Sequence, residues 1–388
     1  MSSSPATHIS SATFAYPEVD SATRARLARV IHAADSDGAT FVLSTCLRTE
    51  VIVAGDGIRL HQTLERIFGG VPEVGIAKVR HDADAVEHIY RVAAGLESPI
   101  RGEGEILTQF RQTVAKASES DAITGIFSKL IESAVAIGRH ARENLPDSPH
   151  DSMAAIAAQA VGNVDRVAVL GSGAMATAVI RALQGLPAPP LITVVARTPE
   201  RVTADDVAVC GFDRALEALE EFPAVISATS AKKRLVEVDE MAEVVQRRST
   251  PLTLVDMAMP PDFTVSPSAT LRYLDIDDLA RMAERRPRGD ETDVLVRQAA
   301  IEAYRTFVDH HQVGPVIGGL TRRADDIVEN AVARFGGRLT NEEDLAVLRQ
   351  TAHTVARTLL AGPISYVKQP DRAPEAVDVV AEAFGVDE

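Results

Sequence analysis

The segment FVLSTCLRTE, residues 41–50, places one of the chain's two cysteines between two strand-like runs. Ser44 and Thr45 precede Cys46, so the thiol lies where the chain leaves a strand, and Arg48 follows two residues later. A nearby cation favours the thiolate form of a cysteine, which is the nucleophile. An isolated cysteine at a strand end is more often a buried structural residue. The arginine and the polar approach favour a nucleophile, and the structural alternative stays open.

A glycine-rich turn follows another strand-like run in RVAVLGSGAMATAVIRAL. Gly171, Gly173 and Ala176 fit the dinucleotide fingerprint G-x-G-x-x-A, with a strand before it and a helix after it. The first glycine makes the tight turn, the second admits a pyrophosphate, and the small third residue lets the helix pack on the strand. The helix N-terminus attracts the phosphates. The alternative is a plain glycine turn in an α/β domain.

The following strand, LITVVAR, ends in Arg197, with Thr198 beside it. NAD-binding domains usually carry Asp or Glu at this point for the ribose hydroxyls, whereas an arginine can accept the 2′-phosphate of NADP. The sequence therefore predicts NADP, and a surface arginine is the competing interpretation. A thiolate beside a nicotinamide suggests that the sulfur attacks an activated acyl group and that the resulting thioester is reduced to an aldehyde.

The elements that would position these residues fall into three regions. The first, to about Asn144, mixes short strands such as TFVLS and EVIVAG with helices such as DADAVEHIYRVAAGL. The middle region alternates strands with helices, which is typical of a parallel sheet with crossover helices. Beyond about Ala280 the pattern is helical, and the apolar stripes must be buried on each other or on a second copy.

Composition limits the remaining possibilities. The chain has 388 residues, 46% of them hydrophobic, and no apolar run approaches the length of a membrane span. The N-terminus lacks the pattern of a signal peptide. The two cysteines are too far apart to indicate a disulfide framework or a zinc cluster, so we expect no metal site and a reduced, cytoplasmic compartment. A net charge of −15 argues against broad, non-specific binding to nucleic acid.

Five motifs resemble those of the glutamyl-tRNA reductase family, in the same order, over roughly residues 41–279. STCLRTE resembles the signature S-T-C-N-R-x-E, and HIYRVAAGLESPIRGEGEILTQFR resembles the stretch that contains G-E-x-Q-I-L-x-Q. GSGAMA with the later ART, LVDMAMPPDF and YLDIDDL resemble the family's G-A-G-x-M-A with N-R-T, D-x-A-x-P-R-D-I and Y-x-x-D-D-L. The cysteine motif together with G-E-x-x-I-L makes the resemblance specific.

The resemblance implies a multidomain α/β fold. An N-terminal α+β catalytic domain would occupy residues 1–145, and a Rossmann-type NADP-binding domain would occupy residues 146–280. A long linking helix, beginning near Arg281, and a C-terminal helical dimerisation domain would occupy residues 281–388. The implied reaction is the NADPH-dependent reduction of glutamyl-tRNA(Glu) to glutamate-1-semialdehyde, the first step of tetrapyrrole (porphyrin) biosynthesis. The implied partners are a second copy of the chain and the aminomutase that takes the semialdehyde.

The resemblance also implies roles for the matching residues. Cys46 would attack the ester carbonyl, and His88 would polarise that carbonyl or relay a proton. Arg48 is a natural partner for the substrate carboxylate, and Glu103 could accept from the substrate's α-ammonium group. The predicted substrate-binding residues are Thr45, Leu47, Arg48, Ser98, Glu103, Gly104, Glu105 and Gln109. NADPH would be held by Gly171, Ser172, Gly173, Ala174, Met175, Ala176, Arg197 and Thr198. From the residues alone, solvated or structural roles are favoured for His88, Glu103 and Glu105, and the resemblance reverses that preference.

The chain departs from the family pattern at four places. Leu47 replaces an asparagine, Glu105 replaces a glutamine, Pro261 replaces an arginine, and the N-terminal strand motif G-x-S-H-x-x-A-P is reduced to a trace. These departures bear on the identity of the substrate more than on thioester chemistry, because Cys46, Arg48 and His88 are all retained. Two alternatives therefore accompany the main hypothesis: an inactive regulatory paralogue that binds glutamyl-tRNA or a pathway partner, and an NADP-dependent reductase of another aminoacyl ester or thioester.

Overall fold

The computed structural model describes residues 8–31, 37–69, 75–100, 104–143, 152–231, 234–283, 291–336, 341–369, 372 and 375–386. The chain divides into two compact units, one spanning Ile9–Ile301 and one that contains Glu302–Glu388. The predicted linker LPDSPHDS falls almost wholly outside the described residues. Within the described part, no helix is long and apolar enough to cross a membrane.

The first unit begins with a four-stranded antiparallel sheet of order β2-β3-β1-β4. Each of the first two helices starts at an aspartate whose carboxylate accepts a backbone N–H of the first turn, as expected of an N-cap. The strands are β1 Ile9–Ala15, β2 Thr40–Ser44, β3 Arg48–Ala54 and β4 Lys78–His81. The helices are α1 Ser21–Val30, α2 Gly57–Phe68, α3 Asp82–Ala93, α4 Gly104–Glu119 and α5 Gly125–Glu143.

A second, parallel sheet of order β10-β9-β8-β5-β6-β7 follows in the same unit. Its central strands are buried on both faces, which explains their almost continuous runs of valine, leucine, isoleucine and alanine. The strands are β5 Arg166–Leu170, β6 Leu191–Ala196, β7 Ala208–Gly211, β8 Ala224–Ser227, β9 Leu252–Asp256 and β10 Leu271–Leu274. The helices are α6 Met153–Ala160, α7 Ala174–Gln184, α8 Ala215–Glu221, α9 Val238–Arg247 and α10 Ile276–Ala283.

The C-terminal helices are α11 Glu291–Gly336, α12 Glu342–Val367 and α13 Ala376–Ala383. The long helix predicted to begin near Arg281 is α11, whose 46 residues begin at Glu291, whereas Arg281 lies in the last turn of α10. In the second unit, Val313 and Leu320 of α11 form a small buried cluster with Leu360 and Val377 of the later helices. Of the two predicted alternatives, burial on each other or on a second copy, the first applies to the residues of this cluster.

Candidate active site

Cys46 lies in a tight turn between two antiparallel strands. β2 ends at Ser44 and β3 begins at Arg48, and across the turn Thr45 N donates to Arg48 O at 2.8 Å. The Thr45 hydroxyl oxygen accepts from the Arg48 backbone N–H at 3.2 Å. These bonds fix the turn, so the sheet sets the position of Cys46. The cysteine is half-buried and is a thiol rather than half of a disulfide.

A cavity of about 150 Å³ lies against this turn. Its polar side is contributed by the first sheet and its helices, and its more apolar side by the second sheet and its helices. The lining residues from the first part are Thr45, Cys46, Leu47, Arg48, Ser98, Glu105, Ile106 and Gln109. Those from the second part are Met153, Met175, Ala228, Thr229, Met257, Met259 and Ile276. Most of the predicted substrate-binding residues therefore meet at one cavity with the candidate nucleophile.

Arg48 belongs to a buried cluster of charged and polar side chains. Its Nη1 lies 3.3 Å from Glu50 Oε1, and its Nη2 donates to Glu97 O. Thr13 Oγ1 donates to Glu50 Oε2 at 2.6 Å. Burial by itself raises the pKa of the Glu50 carboxyl, but the charges of His88 and Arg48 and the Thr13 hydrogen bond hold that pKa below its usual value. The ionised Glu50 thus fixes the Arg48 guanidinium at the wall of the cavity.

His88, predicted to be catalytic, is only 4% exposed. Its Nε2 lies 3.0 Å from Glu50 Oε1 and 3.0 Å from Thr13 Oγ1. The residues that line the Cys46 cavity do not include it. In this arrangement His88 supports Arg48 through Glu50, and direct action of His88 on a substrate carbonyl stays a prediction.

Glu105 and Gln109 occupy successive turns of α4 and line the cavity together. Burial raises the pKa of Glu105, and a hydrogen bond from Gln109 Nε2 at 3.3 Å partly opposes that rise. Gly104 begins α4 without lining the cavity, and a Cβ there would lie 3.0 Å from Arg142 Cζ. Glu103 lies outside the described residues.

The glycine-rich turn between β5 and α7 has the geometry that its sequence predicts. Gly171 has a φ of +118°, and a Cβ on it would lie 2.6 Å from Ala228 O. Gly173 is the N-cap of α7, with open space where a Cβ would be, and Ala176 is fully buried. A cavity of about 590 Å³ adjoins the turn. It is lined by Gly171, Ser172, Gly173, Ala174, Met175, Arg197, Thr198, Arg201, Phe212, Ala228, Thr229, Ser230, Ala231 and Leu235.

This second cavity suits a dinucleotide with an additional phosphate. The N-terminus of α7, an 11-residue helix, carries no side-chain cap hydrogen bond at Gly173, so its first N–H groups are available to an anion. Arg197 and Arg201 add two cations, and none of the lining residues, all within the described part, is acidic. A carboxylate that would repel a 2′-phosphate is therefore missing from this wall, and the residues fit NADPH.

The two cavities share Met175, Ala228 and Thr229 as lining residues. The Thr229 side chain is held in place by Asp262, because Thr229 Oγ1 donates a hydrogen bond to Asp262 Oδ2 at 2.8 Å. The backbone N–H of Asp262 in turn donates to Asp256 Oδ2 at 2.9 Å. The shared residues thus make the glycine-turn cavity and the Cys46 cavity neighbours.

Models of known families match most of the chain. The model described as "Glutamyl-tRNAGlu reductase, N-terminal domain" matches residues 5–145, and "Glutamyl-tRNAGlu reductase, dimerisation domain" matches residues 296–386. Between them, "Shikimate / quinate 5-dehydrogenase" matches residues 155–282. The chain belongs to the glutamyl-tRNA reductase family.

Relatives cover nearly the whole chain. The glutamyl-tRNA reductases of Halalkalibacterium halodurans and Priestia megaterium are 27% and 29% identical to it over 378 and 380 residues. Each alignment covers 89% of this chain, and they cover 82% and 84% of the two relatives. The solved structure "Glutamyl-tRNA Reductase from Methanopyrus kandleri" matches 97% of this chain and 98% of its own at 23% identity, with a TM-score of 0.50. The predicted family and fold class are confirmed.

Several residues of this glutamyl-tRNA reductase family site were not predicted from the sequence, and three of them, Glu50, Thr13 and Thr229, are polar groups that hold or line it. Glu50 could have been found, because it lies two residues after Arg48 on β3 and therefore on the same face of the sheet. Thr13 is its register partner on β1, which only the strand pairing reveals. Thr229 lies after β8, where the carboxyl ends of parallel strands meet, and nothing local marks it as part of both cavities.

Proposed function

We propose that this protein reduces the glutamyl group of glutamyl-tRNA(Glu) to glutamate-1-semialdehyde with NADPH, the first step of tetrapyrrole biosynthesis. The observation that carries the proposal is the wall shared by the Cys46 cavity and the nucleotide cavity, formed by Met175, Ala228 and Thr229. A nucleophile alone would permit hydrolysis or transfer, and a nucleotide cavity alone would permit many reductions. Their junction supports reduction of an acyl group held on the sulfur.

In this proposal the Cys46 thiolate attacks the ester carbonyl, the carbon–sulfur bond forms, and the tRNA 3′-oxygen leaves and takes up a proton. NADPH, when bound, supplies the hydride that converts a thioester carbonyl into an aldehyde while the sulfur leaves as thiolate. The balance is glutamyl-tRNA, NADPH and one proton to glutamate-1-semialdehyde, tRNA and NADP⁺. Cys46 ends as it began.

The side chains around Cys46 suit a glutamyl group. Arg48, held by Glu50 and Glu97, presents a cation to the side-chain carboxylate of the substrate. Glu105 on α4 offers a carboxyl group to the α-ammonium group, and a bound cation would favour its ionised form. Ser98 and Gln109 supply neutral hydrogen-bonding groups to the same cavity. This chain thus places opposite charges at one cavity, as an amino acid with a carboxylate side chain requires.

The nucleotide cavity would hold NADPH through the backbone of the glycine turn and through Arg197. The helix N-terminus at Gly173 would receive the pyrophosphate, and Arg197 with Thr198 would receive the 2′-phosphate. As further parts of the proposal, the protein works as a homodimer in the cytoplasm, where charged tRNA is found. It passes its reactive aldehyde to the aminomutase that consumes it.

The test uses the full chain with glutamyl-tRNA(Glu). Without NADPH, acid quenching and mass spectrometry should find a glutamyl adduct on Cys46, and with NADPH the semialdehyde should accumulate. Cys46→Ser should abolish both. Cys210→Ser is the matched control, since Cys210 is the other thiol, lies on β7 and lines neither cavity.

Each other outcome identifies a different protein. Binding of glutamyl-tRNA without an adduct and without NADPH oxidation would indicate the inactive regulatory paralogue. Turnover only with another acyl donor would indicate a different substrate, with Leu47 and Glu105 as the first residues to examine.

A further inference from the structure

One buried arginine outside the described cavities joins the cysteine turn to the second half of the site. Arg24, on α1, is 1% exposed. Its Nη2 lies 2.5 Å from Asp277 Oδ1 on α10, and its Nη1 donates to Val19 O. Its Nε donates at 3.0 Å to the backbone carbonyl of Cys46. A single guanidinium therefore contacts both the candidate nucleophile's own main chain and a helix of the nucleotide-binding part.

Asp277 is fixed from a second direction. Its Oδ2 accepts the backbone N–H of Ser21 at 2.9 Å, in the first turn of α1. Asp277 itself lies in the first turn of α10, the helix that contributes Ile276 to the cavity wall. Both carboxylate oxygens are thus used to join α1 to α10. A planar guanidinium with several fixed donors suits this bridge, whereas a lysine would supply one point charge.

The side chain next to the nucleophile forms a second anchor. Leu47, which replaces the family's asparagine, is 8% exposed and belongs to the buried apolar cluster of the second sheet. That cluster includes Met153, Met257 and Ile276, three further residues of the cavity wall. The backbone carbonyl of Leu47 accepts a hydrogen bond from Tyr16 N at 3.0 Å. The turn is therefore held to the nucleotide-binding part by its main chain through Arg24 and by its apolar side chain through Leu47.

Such a clamp matters for only one of the two chemical steps. Attack on the ester needs Cys46, Arg48 and their neighbours, which belong to the first sheet and its helices. Reduction also needs the second half of the site at the correct distance from the sulfur. A misplacement of about 1 Å can cost roughly 100-fold in rate.

We propose that Arg24 is a positioning residue that, with Leu47, sets Cys46 against the nucleotide side of the cavity. Its loss slows reduction of the acyl group far more than formation of that group. The predicted effect on the two reaction rates rests on the proposed function. The position of Cys46 relative to the nucleotide cavity can be tested without the substrate.

The kinetic experiment measures the two steps separately in the full chain. Rapid quenching without NADPH gives the rate of adduct formation on Cys46, and addition of NADPH to the preformed adduct gives the rate of its decay. For Arg24→Lys and Asp277→Asn we expect adduct formation within about 3-fold of the unmodified chain and decay slowed about 10- to 100-fold. If an Arg24 variant does not fold, Asp277→Asn, which keeps the arginine, should show the same bias by itself.

Arg281→Gln is the matched control, because Arg281 pairs with Asp278 on the same helix but is 60% exposed. Both of its rates should be unchanged. A thermal melt confirms that each variant is folded. Equal slowing of adduct formation and adduct decay would show that Arg24 has only a structural role. An unchanged rate of adduct decay would contradict the clamp.

A readout independent of glutamyl-tRNA uses iodoacetamide. NADPH should slow alkylation of Cys46 about 10-fold in the unmodified chain, because a cofactor at the shared wall shields the sulfur. In Arg24→Lys this protection should fall to below about 3-fold while NADPH still binds. If no adduct ever forms on Cys46, the proposed function fails, but the alkylation experiment still tests the clamp. NADPH protection that survives in Arg24→Lys would overturn the clamp, and loss of that protection would support it.

Discussion

The cysteine end and the nucleotide end of the site are positioned by different parts of the chain. At the cysteine end, side chains do the positioning: Arg48 is held by Glu50, which is held by His88 and Thr13, all buried. At the nucleotide end, the main chain does it, through the positive φ of Gly171 and the N-terminus of α7. The geometry of the cysteine end depends on the charged side chains that are present. The geometry of the nucleotide end depends on the absence of side chains at the glycines.

This difference predicts how each end fails. Removing a charged side chain at the cysteine end leaves its partner buried and uncompensated, so one substitution disturbs the whole cluster. Adding an atom at the nucleotide end causes a steric conflict whose size depends on the local space. Substitutions of similar size should therefore affect different observables at the two ends.

The largest effect is expected for Arg48→Ala. It removes the candidate partner of the substrate carboxylate and leaves Glu50 with less compensation in a buried position. We expect kcat/KM for glutamyl-tRNA to fall about 1,000-fold, equivalent to about 4 kcal/mol. Steady-state kinetics and a thermal melt measure the two consequences. Arg59→Ala is the control, since Arg59 is a more exposed arginine of the same part that pairs with Asp37. A loss below tenfold would remove Arg48 from substrate recognition.

The buried carboxyl groups of Asp256 and Asp262, next to Thr229, should make the stability of the fold depend on pH. Burial and the neighbouring Asp262 raise the pKa of Asp256 to about 7, although hydrogen bonds from Ala258, Phe263 and Tyr273 favour the ionised form. The folded protein therefore keeps a proton that the unfolded chain, with the ordinary pKa of 3.8, has released. Stability should fall by roughly 2–3 kcal/mol as pH rises from about 5 to 8 and level off above that range.

Asp262→Asn tests this expectation, because it removes the like charge and leaves acceptors for the Ser227 and Thr229 hydroxyls. Urea unfolding at several pH values should show a smaller decline in this variant. Asp205→Asn, at an exposed aspartate, is the control. A decline of equal size in Asp262→Asn would show that the pair is not its cause.

Two glycine substitutions sharpen the contrast between the ends. A Cβ at Gly171 would meet a backbone oxygen and a strained φ, so Gly171→Ala should destabilise the fold by about 2 kcal/mol and weaken NADPH binding about 30-fold. Gly173 has an ordinary φ of −83° and open space around it. Because glycine is a better N-cap than alanine, Gly173→Ala should lower the melting temperature slightly, by less than Gly171→Ala does, and should weaken NADPH binding. Calorimetric titration and thermal melts distinguish the two, and equal melting temperatures would contradict the steric argument.

The same contrast explains what the sequence could predict. Cys46, Arg48, Gly171 and Arg197 belong to short motifs whose chemistry is legible within a few residues, and the alternating strands and helices of the middle region predicted its parallel sheet. The Arg24–Asp277 contact joins positions 253 residues apart, so no local pattern reveals it. The position of His88 was not predictable either, because helical spacing shows that a face is buried and not which carboxylate it meets. Tertiary pairing supplied these contacts.

The smallest effect is expected for Arg197→Gln, which tests whether the nucleotide end also contains one discriminating side chain. Arg197 is exposed, so its attraction for a 2′-phosphate is screened and should be worth about tenfold, or about 1.4 kcal/mol. The preference for NADPH over NADH, measured as the ratio of dissociation constants, should fall by that factor. Arg214→Gln is the control, because Arg214 is an exposed arginine that pairs with Glu217 and does not line the cavity. An unchanged ratio would make Arg197 an ordinary surface residue, and cofactor choice would then depend on Arg201 or on the backbone alone.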